Sequence, residues 1–384
     1  MTSACRIPLH AAAIRGWLHG LQQALSMQRT ACGSGRNLCL ALASATALAG
    51  MDRLPGVTAV AMPLPCPVAA GWQVERQLEL PRRSDGGVRI GGFSAAHYSA
   101  AADSLLLLSD LPQGAVLRWT GIRGPELPSL QQSTPLRSGP AAALPPAIDA
   151  EALVVLGGQW WVASEGRRSP ERPAQLLRFS ALSGELLNAL ELPADWQPGE
   201  GPDGLRGLAS NGGPESLLLL GGTGPPALLM AAERPLLQDP PRQVRLLRWQ
   251  WPPGADPAVA DPVPMPQGAL QLPWGEGWGL TELMPLAAGR LLGLLRRFEP
   301  PDRWQIRLAL YSLPPPGSNA PLAPLAQWDL IAAGLIPDNW EGLSPGPTLP
   351  DGRPTLLLAS DDNLNPLQSN RLALLTARRD PGCP

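Results

Sequence analysis

From about residue 90 the chain repeats one hydropathy phrase. A short opening ends on a small or apolar residue, a Gly-rich turn follows, and an apolar run then closes on a polar or charged stop. The copies are GGFSAAHYSAAADSLLLLSD (91–110), DAEALVVLGGQWWVASEG (149–166), GLRGLASNGGPESLLLLGG (204–222), GLTELMPLAAGRLLGLLRR (279–297) and EGLSPGPTLPDGRPTLLLASDD (341–362). Each reads as two strands joined by a turn. In the middle copy the pair is read as 205–209 and 216–220. In the last copy Pro350-Asp351-Gly352 has the chemistry of a tight turn, with proline preset for the second position and glycine free to take positive φ.

Between the copies lie segments with alternating apolar and polar positions, at 115–119, 175–179, 243–249, 305–311 and 370–375. Alternation implies one buried and one solvated face, so each reads as the third strand of its unit. Repeats spaced by roughly 55 to 75 residues are the signature of a radial array with about four strands per blade. The fold class expected is therefore all-β, a β-propeller. Six blades are expected, the sixth assembled from 71–82 and the C-terminal segment, so that the chain ends meet in one blade. A pair of β-sandwiches gives no reason for one phrase to recur five times.

Composition agrees with this reading. The 47 prolines and 41 glycines of the 384 residues sit in clusters between apolar runs, as loops between strands require, and internal proline argues against long helices. Charged residues make up 16%, against about 25% in an average domain. The net charge is −2 and no lysine occurs. No basic stripe with interleaved aromatics is present, which argues against a nucleic-acid partner. A monomer is expected.

The N-terminus reads as an export signal. Met27 is followed by Arg29 and Arg36, then by an apolar run from Leu38 to Ala49 with small residues at Ala47-Leu48-Ala49, the three-part layout of a secretory signal. The run is shorter than the roughly 20 residues of a membrane span, so no stable span remains after cleavage. Residues 1–26 read as a gene-model extension, 27–49 as the signal, 50–84 as linker and first strand, and 85–378 as the propeller. A periplasmic or extracellular location follows. Cys5, Cys32 and Cys39, with His10 and His19, would leave with the signal. Cys66 and Cys383 remain, and an even pair in an oxidising compartment reads as a disulfide, two free thiols being the other reading.

Asn339-Trp340-Glu341-Gly342-Leu343 and Ser360-Asp361-Asp362-Asn363, with Pro366-Leu367-Gln368, carry a resemblance. Together with Gly91-Gly92-Phe93-Ser94, Asp149-Ala150-Glu151-Ala152-Leu153 and Ser164-Glu165-Gly166, they resemble the bacterial phytase-like family, described as having esterase-like activity of phytase. The likeness covers roughly 85–378. It implies an exported, propeller-like protein acting on ester bonds. In two places the chain departs from the family's pattern, with His97 and Arg206 where an acidic residue is usual.

Asp110, Asp149, Glu151, Glu165, Glu282, Glu341, Asp361 and Asp362 fall at equivalent stops and openings of the repeats. In a propeller such positions converge on the channel, and converging carboxylates need a cation or an arginine. Oxygen ligands of this type suit Ca²⁺, and there is no His/Cys cluster for zinc. Asp149, Glu151, Glu165, Glu341, Asp361 and Asp362 are the expected metal ligands. Glu341, Asp361, Asp362 and His97 are the candidate catalytic groups. Arg206, Arg296, Arg297, Asn339 and Asn363 are the candidates for holding a small phosphoester or ester substrate. Phytate itself fits poorly with a chain of net charge −2 and no evident basic cradle. A propeller that binds a ligand or protein without catalysis is the alternative, its carboxylates then serving structure. Trp160, Trp161 and Trp340 read as packing residues.

Overall fold

A computed structural model describes residues 62–383 other than 85, 112, 222–224 and 319. The signal reading, with Cys5, Cys32, Cys39, His10 and His19, lies outside the described residues.

After β1 (Trp72–Glu79), strands arrive in groups. β2 (Phe93–Ser99), β3 (Ser104–Ser109), β4 (Ala115–Thr120) and β5 (Ser129–Pro135) form one antiparallel sheet. A second follows from β6 (Ala150–Leu156), β7 (Gln159–Ser164), β8 (Gln175–Ser180) and β9 (Leu186–Glu191). A short ribbon of β10 (Gly199–Gly201) and β11 (Gly204–Arg206) leads to the third sheet. That sheet holds β12 (Pro214–Leu220), β13 (Ala227–Ala232), β14 (Gln243–Gln250) and β15 (Val263–Gln271). The fourth holds β16 (Gly279–Leu286), β17 (Arg290–Glu299) and β18 (Arg303–Ser312); after β19 (Pro321–Leu322), which pairs in parallel with β15, β20 (Ala326–Asp329) completes it. The fifth takes β21 (Asn339–Pro345), β22 (Leu356–Asp361) and β23 (Arg371–Ala377), the last three strands, together with β1, the first.

The first strands of the five sheets, β2, β6, β12, β16 and β21, pack side by side in a closed ring. The protein is a β-propeller of five blades. Five apolar clusters fill the five interfaces between neighbouring blades, for example Leu292, Leu294 and Leu308 of blade four against Leu343, Leu356 and Leu358 of blade five. Trp160, Trp161 and Trp340 are buried in these interfaces, and Trp161 meets Trp251 edge to face at 5.2 Å.

Among the described residues the expected sixth blade is absent, because the last repeat supplies only three strands. Its fourth is β1, which pairs antiparallel with β23 from Trp72↔Ala377 to Glu79↔Arg371. The first and last of the described strands therefore meet inside the fifth blade, and a Cys66–Cys383 disulfide, with Cα atoms 5.8 Å apart, fastens the segments beside them.

The middle repeat corrects a second reading. The inner hairpin of blade three is 214–220 with 227–232, one strand later than expected, and 204–206 belongs to the small ribbon. The segment from 205 to 209 lacks the apolar run that would bury it, and Leu205 stays exposed.

Candidate functional site

Every inner strand carries a β-bulge at the same place. The ladder slips between Phe93 and Ala95, Ala150 and Ala152, Pro214 and Ser216, Leu280 and Glu282, and Trp340 and Gly342. The extra residues are Ser94, Glu151, Glu215, Thr281 and Glu341, one per blade and all buried. A regular inner strand turns its side chains toward the neighbouring blades; a bulge re-aims one of them. Here the re-aimed residues converge, since carboxylate oxygens of Glu151, Glu215 and Glu341 lie within 4.8 Å of one another.

A second set of positions surrounds the bulges. Asp110, Glu165, Glu233, Arg296 and Asp361 stand where each second strand leaves the core, opposite Gly92, Asp149, Gly213, Gly279 and Asn339. Several reach into the next blade. Glu165 Oε1 accepts from the Gly213 amide at 3.1 Å. Arg296 Nη1 donates to Asn339 Oδ1 at 2.5 Å. Glycine at 213 and 279 is what admits these groups: a Cβ would lie 2.7 Å from Glu165 Cγ in one case and 2.7 Å from Glu233 Cδ in the other.

Arg296 is the cation inside this array. Its Nη2 lies 3.1 Å from Glu341, 3.5 Å from Glu233 and 3.8 Å from Glu215. Burial works against its charge, but these carboxylates hold its pKa above the ordinary value. They do not go uncompensated for their part. Burial, with mutual repulsion, pushes Glu151, Glu215 and Glu341 well above the usual carboxylate range. Asp110 and Glu165 are pushed up to about 7, and Asp361 to about 6, burial again being the main cause. The Oε2 of Glu215, the Oδ1 of Asp110 and the Oγ of Ser94 are buried without a hydrogen-bond partner.

Arginines rim the acidic floor. Arg167 Nε pairs with Asp149 at 2.8 Å and Arg172 approaches it at 3.6 Å. Arg234 pairs with Glu233 at 3.1 Å, and Arg82 with Asp362 at 3.3 Å. All four remain partly open to solvent.

The structure thus brings Asp149, Glu151, Glu165, Glu341, Asp361 and Arg296 together. Asp362 lies beside them but serves as a clasp between blades: its carboxylate accepts from the Gly92 amide at 3.0 Å, the Leu364 amide at 3.2 Å and Asn370 Nδ2 at 3.4 Å. Asn339 ties the array to itself, donating from Nδ2 to Glu341 at 2.9 Å and to Asp361 at 3.3 Å. Asn363 donates its amide to Asp361 at 2.8 Å while its exposed side chain donates to Gln368 at 3.3 Å. Arg297 turns to Glu299 at 2.7 Å. Arg206 stands exposed on β11.

His97 sits elsewhere. It lies three residues beyond the bulge, about 10 Å along β2. There it helps line a mostly apolar cavity of about 230 Å³ with Met284, Leu343 and Glu282. Burial lowers its pKa. Glu282 is held by Ser216 Oγ at 3.0 Å, away from the bulge ring. Among the described residues no hydrogen bond joins His97 to a serine, and Ser164 and Ser360 are engaged by backbone groups.

Glu215 and Glu233 were not among the residues singled out from the sequence. The misplaced hairpin of blade three hid both. Glu-small-Leu recurs as Glu151-Ala152-Leu153, Glu215-Ser216-Leu217 and Glu341-Gly342-Leu343, and that triplet was the available signal. Glu215, not Arg206, stands in blade three at the bulge position that Glu151 and Glu341 hold in theirs.

The sequence profile of a family described as phytase-like, "Esterase-like activity of phytase", matches residues 88–364. No curated protein matches. Among solved structures, a protein of unknown function from Dyadobacter fermentans aligns at 11% identity and a TM-score of 0.42, over 80% of this chain and 100% of the other. An α-L-arabinofuranosidase from Clostridium thermocellum aligns at 8% identity and a TM-score of 0.42, over 73% and 88%. Likenesses this distant carry no argument about activity.

Proposed function

Because the chain belongs to the phytase-like family, we propose that it is an exported hydrolase of phosphoric or carboxylic esters, working with a divalent cation at the mouth of its central channel. The observation that carries this reading is the cluster of Asp110, Asp149 and Glu151. Their oxygens lie within 4.8 Å of one another, and this is the acidic group that Arg296 does not reach. The donor set is all hard oxygen, Asp110 Oδ1 has no partner, and flexible oxygen coordination suits Ca²⁺.

A bound cation supplies a Lewis acid for the ester or phosphoryl oxygen. The protein's own groups do the rest. Burial pushes Glu151 and Glu341 well above the usual carboxylate range, which suits them to take a proton from an attacking water and return one to the leaving oxygen. Arg296 fixes Glu341 in place, and Asn339 donates to the same carboxylate. The half-exposed Arg167, Arg172 and Arg234 orient an anionic substrate over the floor by charge-assisted hydrogen bonds. They form the basic rim that composition did not reveal.

The alternative is a propeller that binds without catalysis. Its support is Asp361 and Asp362, whose oxygens are occupied by hydrogen bonds within the protein. One experiment separates the two. The protein from Gly50 onward is melted in EDTA and in millimolar Ca²⁺, then assayed on p-nitrophenyl phosphate and p-nitrophenyl acetate. Hydrolysis requires a calcium-dependent rise in melting temperature and turnover that falls by about 10²-fold or more in Glu151→Gln. A rise without turnover supports the binding reading. No rise and no turnover removes the cation from both.

A further inference from the structure

Beside the mouth, between blades three and four, lies a cavity of about 360 Å³. Leu272, Trp278, Pro235 and Pro241 line it, together with two cations, Arg234 and Arg242. Arg234 links it to the acidic floor through Glu233. Arg242 has a different setting. Its Nε donates to the Leu272 and Pro273 carbonyls at 3.0 and 2.9 Å, and its Nη2 to Leu272 at 2.7 Å. The guanidinium is stacked 3.7 Å from the ring of Trp274, an indole that is 84% exposed. Among the described residues Arg242 forms no ion pair. Glu276, the one carboxylate of the lining, stands exposed on the loop above.

A volume of this size with apolar walls and few polar groups is that of a small-molecule site. A cation that is pre-oriented by two carbonyls and a stacked indole, yet has no counter-charge, is poised to receive an anion. We propose that this cavity binds a small organic anion with a flat apolar body: the body lies against Trp278, Leu272 and the prolines, and the negative group meets Arg242. If the ester-hydrolase reading is right, the cavity selects the organic part of the substrate. The binding itself needs neither the cation nor turnover.

Titration calorimetry in EDTA tests this with 2-naphthoate and its uncharged counterpart 2-naphthol. Naphthoate is expected to bind at least tenfold more tightly than naphthol. Arg242→Gln should remove that preference, and the exposed Trp274→Ala should weaken naphthoate severalfold while leaving the fold intact by circular dichroism. Glu151→Gln should bind naphthoate like the parent protein, which separates this site from the mouth. Equal affinity for the two probes, no binding of naphthoate, or naphthoate binding unchanged in both Arg242→Gln and Trp274→Ala would overturn the assignment.

Discussion

The guanidinium of Arg296 lies 3.1 Å from the carboxylate of Glu341, across the seam between blades four and five. The same nitrogen lies within 3.8 Å of Glu215 and Glu233 on blade three. One side chain therefore neutralises charge contributed by two other blades.

Removing it should be costly. Arg296→Met leaves several buried carboxylates facing one another, and breaking a buried pair from one side costs about 3–5 kcal/mol. The expected result is a loss of that order in denaturant unfolding. Adding Glu341→Gln should recover part of it, and the double-mutant cycle measures the coupling directly.

The carboxylates set a pH dependence whose sign follows from their direction of shift. Asp110 and Glu165 bind protons up to about 7 in the folded protein, and Asp361 up to about 6, all above their ordinary values. The stability that depends on their protonation is fully present below about pH 4 and is lost as pH rises through 6 and 7. In EDTA the melting temperature should therefore fall between pH 5 and pH 8. Asp110→Asn should flatten the slope. A melting temperature that rises across this window would show that these groups are ionised throughout.

Two glycines are expected to resist change. Alanine at Gly279 or Gly213 would press on Glu233 or Glu165, and overpacking of this kind costs about 1–3 kcal/mol. Gly334→Ala is the contrasting case, with open space around the added methyl group but positive φ. Its cost should be the backbone term of about 1 kcal/mol, with no effect on the acidic floor.

The disulfide joins residues 317 apart. Cross-linking so long a loop stabilises by about 5 kcal/mol in the chain-entropy model. Cys66→Ser with Cys383→Ser should lower unfolding free energy by up to that amount. β1 is also expected to open first, which hydrogen exchange on residues 72–79 would report. Uniform loss of protection across all blades would argue that the closure is cooperative with the whole ring.

Much of this architecture was legible along the chain. The apolar runs at 105–108, 160–163, 291–295 and 356–359 form second strands of their blades, and the alternating segments form third strands. Blade three departs from its reading because the turn signal at 211–213 precedes the first inner strand, and the hairpin instead joins β12, ending at Leu220, to β13, beginning at Ala227. The joining of 71–82 to the C-terminal segment is legible, but hydropathy does not show that this joint and the 341–362 repeat are one blade, so the count comes to six where the structure has five. The acidic floor was half visible. Glu151, Glu165, Glu341 and Asp361 announced themselves as charges beside apolar runs, but their neighbours across the channel depend on where each bulge falls. Arg296 reads as a substrate ligand along the chain because sequence does not reveal that three carboxylates already surround it.

The bulges have a consequence for how such a protein can change. A residue set into an inner strand outside the regular ladder contributes little to the apolar seams on either side. Ser94, Glu151, Glu215, Thr281 and Glu341 therefore hold equivalent seats: a serine, a threonine and three glutamates occupy them on the same backbone. New chemistry on the axis can arise one blade at a time, by single substitutions, while the walls that hold the ring together stay as they are.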